Sequence, residues 1–140
     1  SARSGAEWWI QVRPSCQPAN RGLGITWHWD KDERLDRASG ITIHPHISTV
    51  TYLEVGVPPG AVAAAPTVVL NSRANLHTGA ADPGEPISGG EISFPEVGKH
   101  LAFDGAKLHA AVAEFGRGRS KSEQASGQQS KIRVTFLVNM

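Results

Sequence analysis

The chain has almost no cysteine. Cys16 stands alone among 140 residues, so no disulfide within the chain is possible. A lone thiol also favours a reducing, intracellular compartment. No apolar run is long enough to span a bilayer, and there is no signal-peptide pattern. Neither sign of charge predominates. The 14 basic and 13 acidic residues leave a formal net charge of +1, so nothing indicates a nucleic-acid or membrane surface. Charged residues make up only 19% and hydrophobic ones 39%, the balance of a globular rather than a disordered chain. Cys-x-x-Cys, a phosphate-binding glycine loop and a serine nucleophile motif are all missing, so none of those chemistries is signalled. The chain does not begin with Met and is expected to be a piece of a longer protein or a processed form.

What is abundant is punctuation. The 15 glycines and 9 prolines imply many turns and short strands. Strands are expected at 7–13, 24–30, 47–55, 66–70, 91–94, 100–103 joined to 107–112, and 131–138. Each is rich in β-branched or aromatic residues and bounded by Gly, Pro, Asn or Asp. Asp104-Gly105 is a strong turn signal. Helical periodicity is poor. Only 31–38 suits a short helix, with too few apolar residues to dock firmly. Residues 1–140 read as one all-β domain, a sandwich or barrel. Stretches 55–65 and 116–130 read as loops. The second is a polar Gly/Ser/Gln-rich insertion, expected to be mobile or to act as a lid.

Three residues carry the chemical signal. His28 and Asp30 are two apart in an expected strand and so point the same way. His109, from a distant strand, completes a 2-His-1-carboxylate set, the facial triad typical of non-haem Fe(II). The pair alone is a weak pattern, since a strand histidine followed by a turn aspartate looks the same. The same alternation puts Trp27 and Trp29 outward if His28 and Asp30 face inward. Trp8 and Trp9 make the first strand apolar on both faces. Either the chain's own loops cover these rings, or an N-terminal region or partner does. His44-Pro45-His46 has no carboxylate placed beside it. His77 sits in a polar loop and His100 opens a strand; both read as structural or solvated.

The ordered segments His28-Trp-Asp30, Phe103-Asp-Gly-Ala-Lys-Leu-His109 and Arg133-Val-Thr135 give the chain a family likeness. It resembles the Fe(II)- and 2-oxoglutarate-dependent oxygenases, in particular their prolyl-hydroxylase-like branch, over nearly its whole length. The resemblance implies a double-stranded β-helix, or jelly roll, with Fe(II) held by His28, Asp30 and His109. It implies a 2-oxoglutarate cosubstrate with Arg133 and Thr135 on its distal carboxylate and a further hydrogen bond from Tyr52. A guanidinium suits that carboxylate because it binds through two parallel hydrogen bonds, and Thr135, two residues on, shares its face. The separation 133 − 109 = 24 exceeds the family's usual ten to fifteen, which the 116–130 insertion accounts for. The implied reaction is hydroxylation of an unidentified prime substrate with O2, giving succinate and CO2. Two other classes fit the residues. One is a non-catalytic jelly-roll binding module; the other is a cupin-type metalloenzyme that does not use 2-oxoglutarate.

Overall fold

The computed structural model describes residues 5–14, 24–55, 64–75, 86–112, 115 and 132–140. Among them the chain forms β1 (Glu7–Pro14), β2 (Ile25–His28), α1 (Glu33–Ser39), β3 (Ser48–Glu54), β4 (Thr67–Arg73), β5 (Gly90–Ser93), β6 (His100–Phe103), β7 (Lys107–Ala111) and β8 (Ile132–Asn139). Every expected strand is present, with modest shifts at the ends. The expected 116–130 loop and His77 lie outside the described residues. No helix among the described residues is long and apolar enough to cross a membrane.

The strands form two antiparallel sheets, in the orders β1-β8-β3-β6 and β2-β7-β4-β5. The first four strands pair with the last four in reverse: β1 with β8, β2 with β7, β3 with β6 and β4 with β5. Both halves of the chain therefore contribute to each sheet. Turn chemistry supports the tightest connection. Asp104 Oδ1 accepts from Ala106 N at 3.0 Å, and Lys107 N bonds Asp104 O at 2.9 Å, the Asx geometry that an Asp-Gly turn favours.

Register assigns the faces. In β3, Val50 and Tyr52 share a face with their β8 partners Leu137 and Thr135. That face looks at the other sheet, because the Tyr52 hydroxyl lies 2.7 Å from Thr67 Oγ1 in β4. Val50, Tyr52, Thr67 and Thr135 are all buried. The opposite face of the first sheet is apolar and open: Trp8, Ile10 and Val12 of β1, Leu53 of β3 and Ile132 of β8 are exposed. Trp8 is tilted against Phe136 with ring centroids 6.0 Å apart. The outward placement holds for Trp27, which is 45% exposed; in β1, Trp8 is 67% exposed. It fails for Trp29, which is half-buried, as is Trp9. The reason is local: β2 ends at His28, so the two-residue alternation no longer governs residue 29.

The helix is short and entirely polar in its attachment. The Asp32 side chain caps its start by accepting from Leu35 N at 2.8 Å, and Gly40, at φ 69°, closes its end with a bond to Asp36 O. None of its residues is buried. What fixes it is Asp36, bonded by Lys31 Nζ at 2.6 Å and by Thr42 Oγ1 at 3.0 Å.

Candidate metal centre

The β2–β7 ladder sets His28 directly opposite His109, with ring centroids 4.3 Å apart. Each imidazole is oriented by its own strand. His28 Nδ1 lies 2.7 Å from Thr26 O, and His109 Nδ1 lies 2.9 Å from Lys107 O. A carbonyl can only accept, so both Nδ1 atoms carry the proton and both Nε2 atoms keep a free lone pair. Those lone pairs are what a metal needs.

Asp30 supplies the third donor from just beyond β2. Its Oδ1 lies 3.7 Å from His28 Nε2 and 3.6 Å from His109 Nε2. The three candidate ligand atoms all lie within 4.8 Å of one another. A shared ion about 2.1 Å from each, with donors about 3 Å apart as a facial set requires, draws every side of this triangle in by roughly 0.6 Å or more. The donor set and spacing therefore fit a metal ion, and three ligands on one side leave the rest of the coordination sphere open.

The other oxygen of Asp30 is already committed. Oδ2 accepts from Ser48 Oγ at 2.6 Å. Asn139, with its amide nitrogen turned inward, donates to Ser48 Oγ at 3.0 Å and to Asp30 Oδ2 at 3.3 Å. His44 Nδ1 holds the Asp30 main-chain carbonyl at 2.6 Å, and the Phe103 ring packs against His109 at 4.8 Å. Ser48, Asn139, His44 and Phe103 were given no supporting role by the sequence reading.

The electrostatics favour a neutral His28 imidazole beside a carboxylate. Burial pushes the His28 imidazole below its ordinary value, outweighing its bond to the Thr26 carbonyl and the charge of Asp30. For Asp30, burial alone would raise the carboxyl. When the imidazoles are protonated, the charge of His109, with the Ser48 bond and the charge of His28, carries it below the usual range.

The remaining expected residues gather between the sheets. Arg133 stacks over the Tyr52 ring, its guanidinium carbon 5.0 Å from the centroid, and donates to Ala65 O at 2.9 Å. It has no carboxylate partner among the described residues. Burial lowers its pKa, Tyr52 offsets part of that, and Arg13, its register partner across β1, adds to it. Burial raises the Tyr52 phenol, against the Thr67 bond and the Arg133 charge. Thr135 is buried beside Tyr52 in the ladder. In the second sheet, Thr67 is two residues, about 7 Å of strand, from Val69, the register partner of His109. The six expected site residues thus form two groups, a metal-type triad and a basic, hydroxyl-bearing cluster.

No family model matches this chain, and neither does any curated protein or solved structure.

Proposed function

We infer that the chain is the core of an Fe(II)- and 2-oxoglutarate-dependent dioxygenase that hydroxylates a substrate. The observation that carries this reading is Arg133. A half-buried guanidinium with no acid partner among the described residues is costly to keep, and a second arginine lies opposite it. Such a site is built for an anion from outside. Thr135, Tyr52 and Thr67 supply hydroxyls that suit a carboxylate, and the triad lies a short reach along the same inter-sheet space. A five-carbon keto diacid has the length and the two charged ends to join them.

The strand orders support a double-stranded β-helix: an antiparallel ribbon of eight strands folded into two facing sheets. Bound Fe(II) would activate O2 and couple decarboxylation of 2-oxoglutarate, to succinate and CO2, to hydroxylation of the substrate. The chain's own residues hold the ion through Nε2, Nε2 and Oδ1. They orient the imidazoles through main-chain carbonyls and exclude water around Arg133 and Tyr52.

The test is an anaerobic titration with Fe(II) and then 2-oxoglutarate, read by the weak visible charge-transfer band of the chelate. The band should form in the wild type and be lost in Asp30→Asn and His109→Ala. Stoichiometric metal binding with no band at saturating 2-oxoglutarate would favour a cupin-type metalloenzyme. No metal binding at all would favour a binding module.

A further inference from the structure

Beside the triad lies an open cleft of ≈ 630 Å³, to which His28 and Asp30 both contribute. Its volume is in the range of small-ligand sites, about 300–1,000 Å³. The cleft is neither a channel to Arg133 nor lined by it. Two indoles, Trp9 and Trp29, give it flat apolar walls, and α1 contributes Arg34 and Arg37. Trp29 Nε1 is buried without a hydrogen-bond partner among the described residues.

The charges on this lining are not equally free. Lys31 is taken by Asp36 at 2.6 Å. Arg37 makes only a solvent-exposed pair with Glu33, at 3.2 Å, of a kind that contributes little and exchanges easily. Arg34 is exposed and has no acid partner among the described residues. Arg34 and Arg37 are three apart on one turn of α1 and therefore neighbours on its surface. Two guanidiniums that can converge on one ligand, next to two aromatic walls, suit a carboxylate attached to a ring. Glu7, and Glu33 once Arg37 turns to a ligand, are the acids of the lining left over while Asp30 faces the imidazoles.

We propose that this cleft is the prime-substrate site and takes a small-molecule carboxylic acid bearing a flat ring. The ring lies along Trp9 and Trp29, and the carboxylate meets Arg34 and Arg37. This rests on the dioxygenase reading for the reaction itself, but not for occupancy of the cleft, which is tested without metal. A ring held there lies against His28 and Asp30, so the ring or the carbon attached to it is the position presented for hydroxylation.

The experiment uses the full chain, freed of metal by chelation so that a carboxylate cannot simply ligate the ion. The indole N–H signals are assigned by single Trp→Phe variants. The probes are benzoate, phenylacetate and indole-3-acetate, their uncharged amides, and an acidic pentapeptide without a ring. The ring acids should shift the Trp9 and Trp29 signals saturably, while those of Trp8 and Trp27 stay still. The amides should bind about tenfold more weakly, equivalent to about 1.4 kcal/mol. The double variant Arg34→Ala/Arg37→Ala should bring the acids down to the level of their amides. Both arginines are exposed, so the fold should survive their removal.

Absence of saturable shifts at Trp9 and Trp29, equal binding of acid and amide, or tighter binding of the peptide than of every ring acid would each overturn the proposal. The chelate band, measured on the same preparations, separates the two readings. If the band forms and ring acids do not bind, this inference fails and the dioxygenase reading stands. If ring acids bind and no band forms, the dioxygenase reading fails instead.

Discussion

Ser48 holds one oxygen of Asp30 and leaves the other facing the two imidazoles. The 2.6 Å bond to Oδ2 and the 3.6–3.7 Å approach of Oδ1 to both Nε2 atoms divide the carboxylate into a tethered half and a half free to ligate a metal. Such a division favours one-oxygen coordination and keeps the opposite positions open. Ser48→Ala should lower metal affinity about 10- to 100-fold, the usual cost of losing a group that orients a ligand. Asn139→Ala should act in the same direction, more weakly. Metal titration by calorimetry on each variant checks this, and unchanged affinity in Ser48→Ala would show the tether to be dispensable.

Gly105 is needed for closeness rather than for an unusual backbone angle. A Cβ built there would sit 2.5 Å from Pro45 Cγ, 2.6 Å from Pro45 O and 2.8 Å from Ser48 Oγ. Gly105→Ala should therefore cost about 1–3 kcal/mol, as overpacking does, and displace Ser48 from Asp30. The expected signature is a lowered melting temperature together with weakened metal binding. A variant with wild-type values of both would mean that the β6–β7 turn shifts freely.

Arg133 should matter for the cosubstrate and not for the ion. Arg133→Ala should lose about 2–5 kcal/mol of 2-oxoglutarate affinity, roughly thirty-fold to several-thousand-fold, with Fe(II) affinity nearly unchanged. Arg133→Lys should fall between, because a point charge replaces the planar fork. Tyr52→Phe should cost less, since the Thr67 hydroxyl it leaves behind can turn to the ligand. Titrations of 2-oxoglutarate in the presence of Fe(II) rank the four proteins, and any other order counts against a carboxylate at Arg133.

Acid should loosen α1 before it loosens the sheets. The Lys31 and Thr42 hydrogen bonds hold the Asp36 carboxyl below its ordinary value. Its folded-state pKa is therefore lower than its unfolded one. The clamp contributes fully above the ordinary aspartate range, about pH 4, and is lost as pH falls through the depressed folded value. Amide exchange at residues 33–39 should quicken at low pH relative to β3 and β8. Asp36→Asn should show the quickened exchange already at neutral pH. Equal protection of the helix at pH 7 and pH 3 would remove Asp36 as its anchor.

Much of this molecule is written locally. Strand positions follow from β-branched runs between Gly, Pro and Asn. The β6–β7 turn follows from Asp104-Gly105, and the polar character of α1 follows from its lack of apolar residues. These are nearest-neighbour properties, set by sterics and turn chemistry within a few residues. The identities of His28, Asp30 and His109 were legible too, as residue types that suit one metal. Other features depended on pairing across most of the chain. The β2–β7 register alone sets His28 against His109. The meeting of β3, β8 and the segment after β2 brings Ser48 and Asn139 to Asp30 Oδ2. Trp29 turned from the outward position that strand alternation implied, because β2 stops one residue earlier. The cleft of Trp9, Trp29, Arg34 and Arg37 joins β1 to α1, which no local pattern connects. Side-chain period is a property of one strand, whereas which strand lies beside it is decided by the burial and hydrogen bonding of the whole chain.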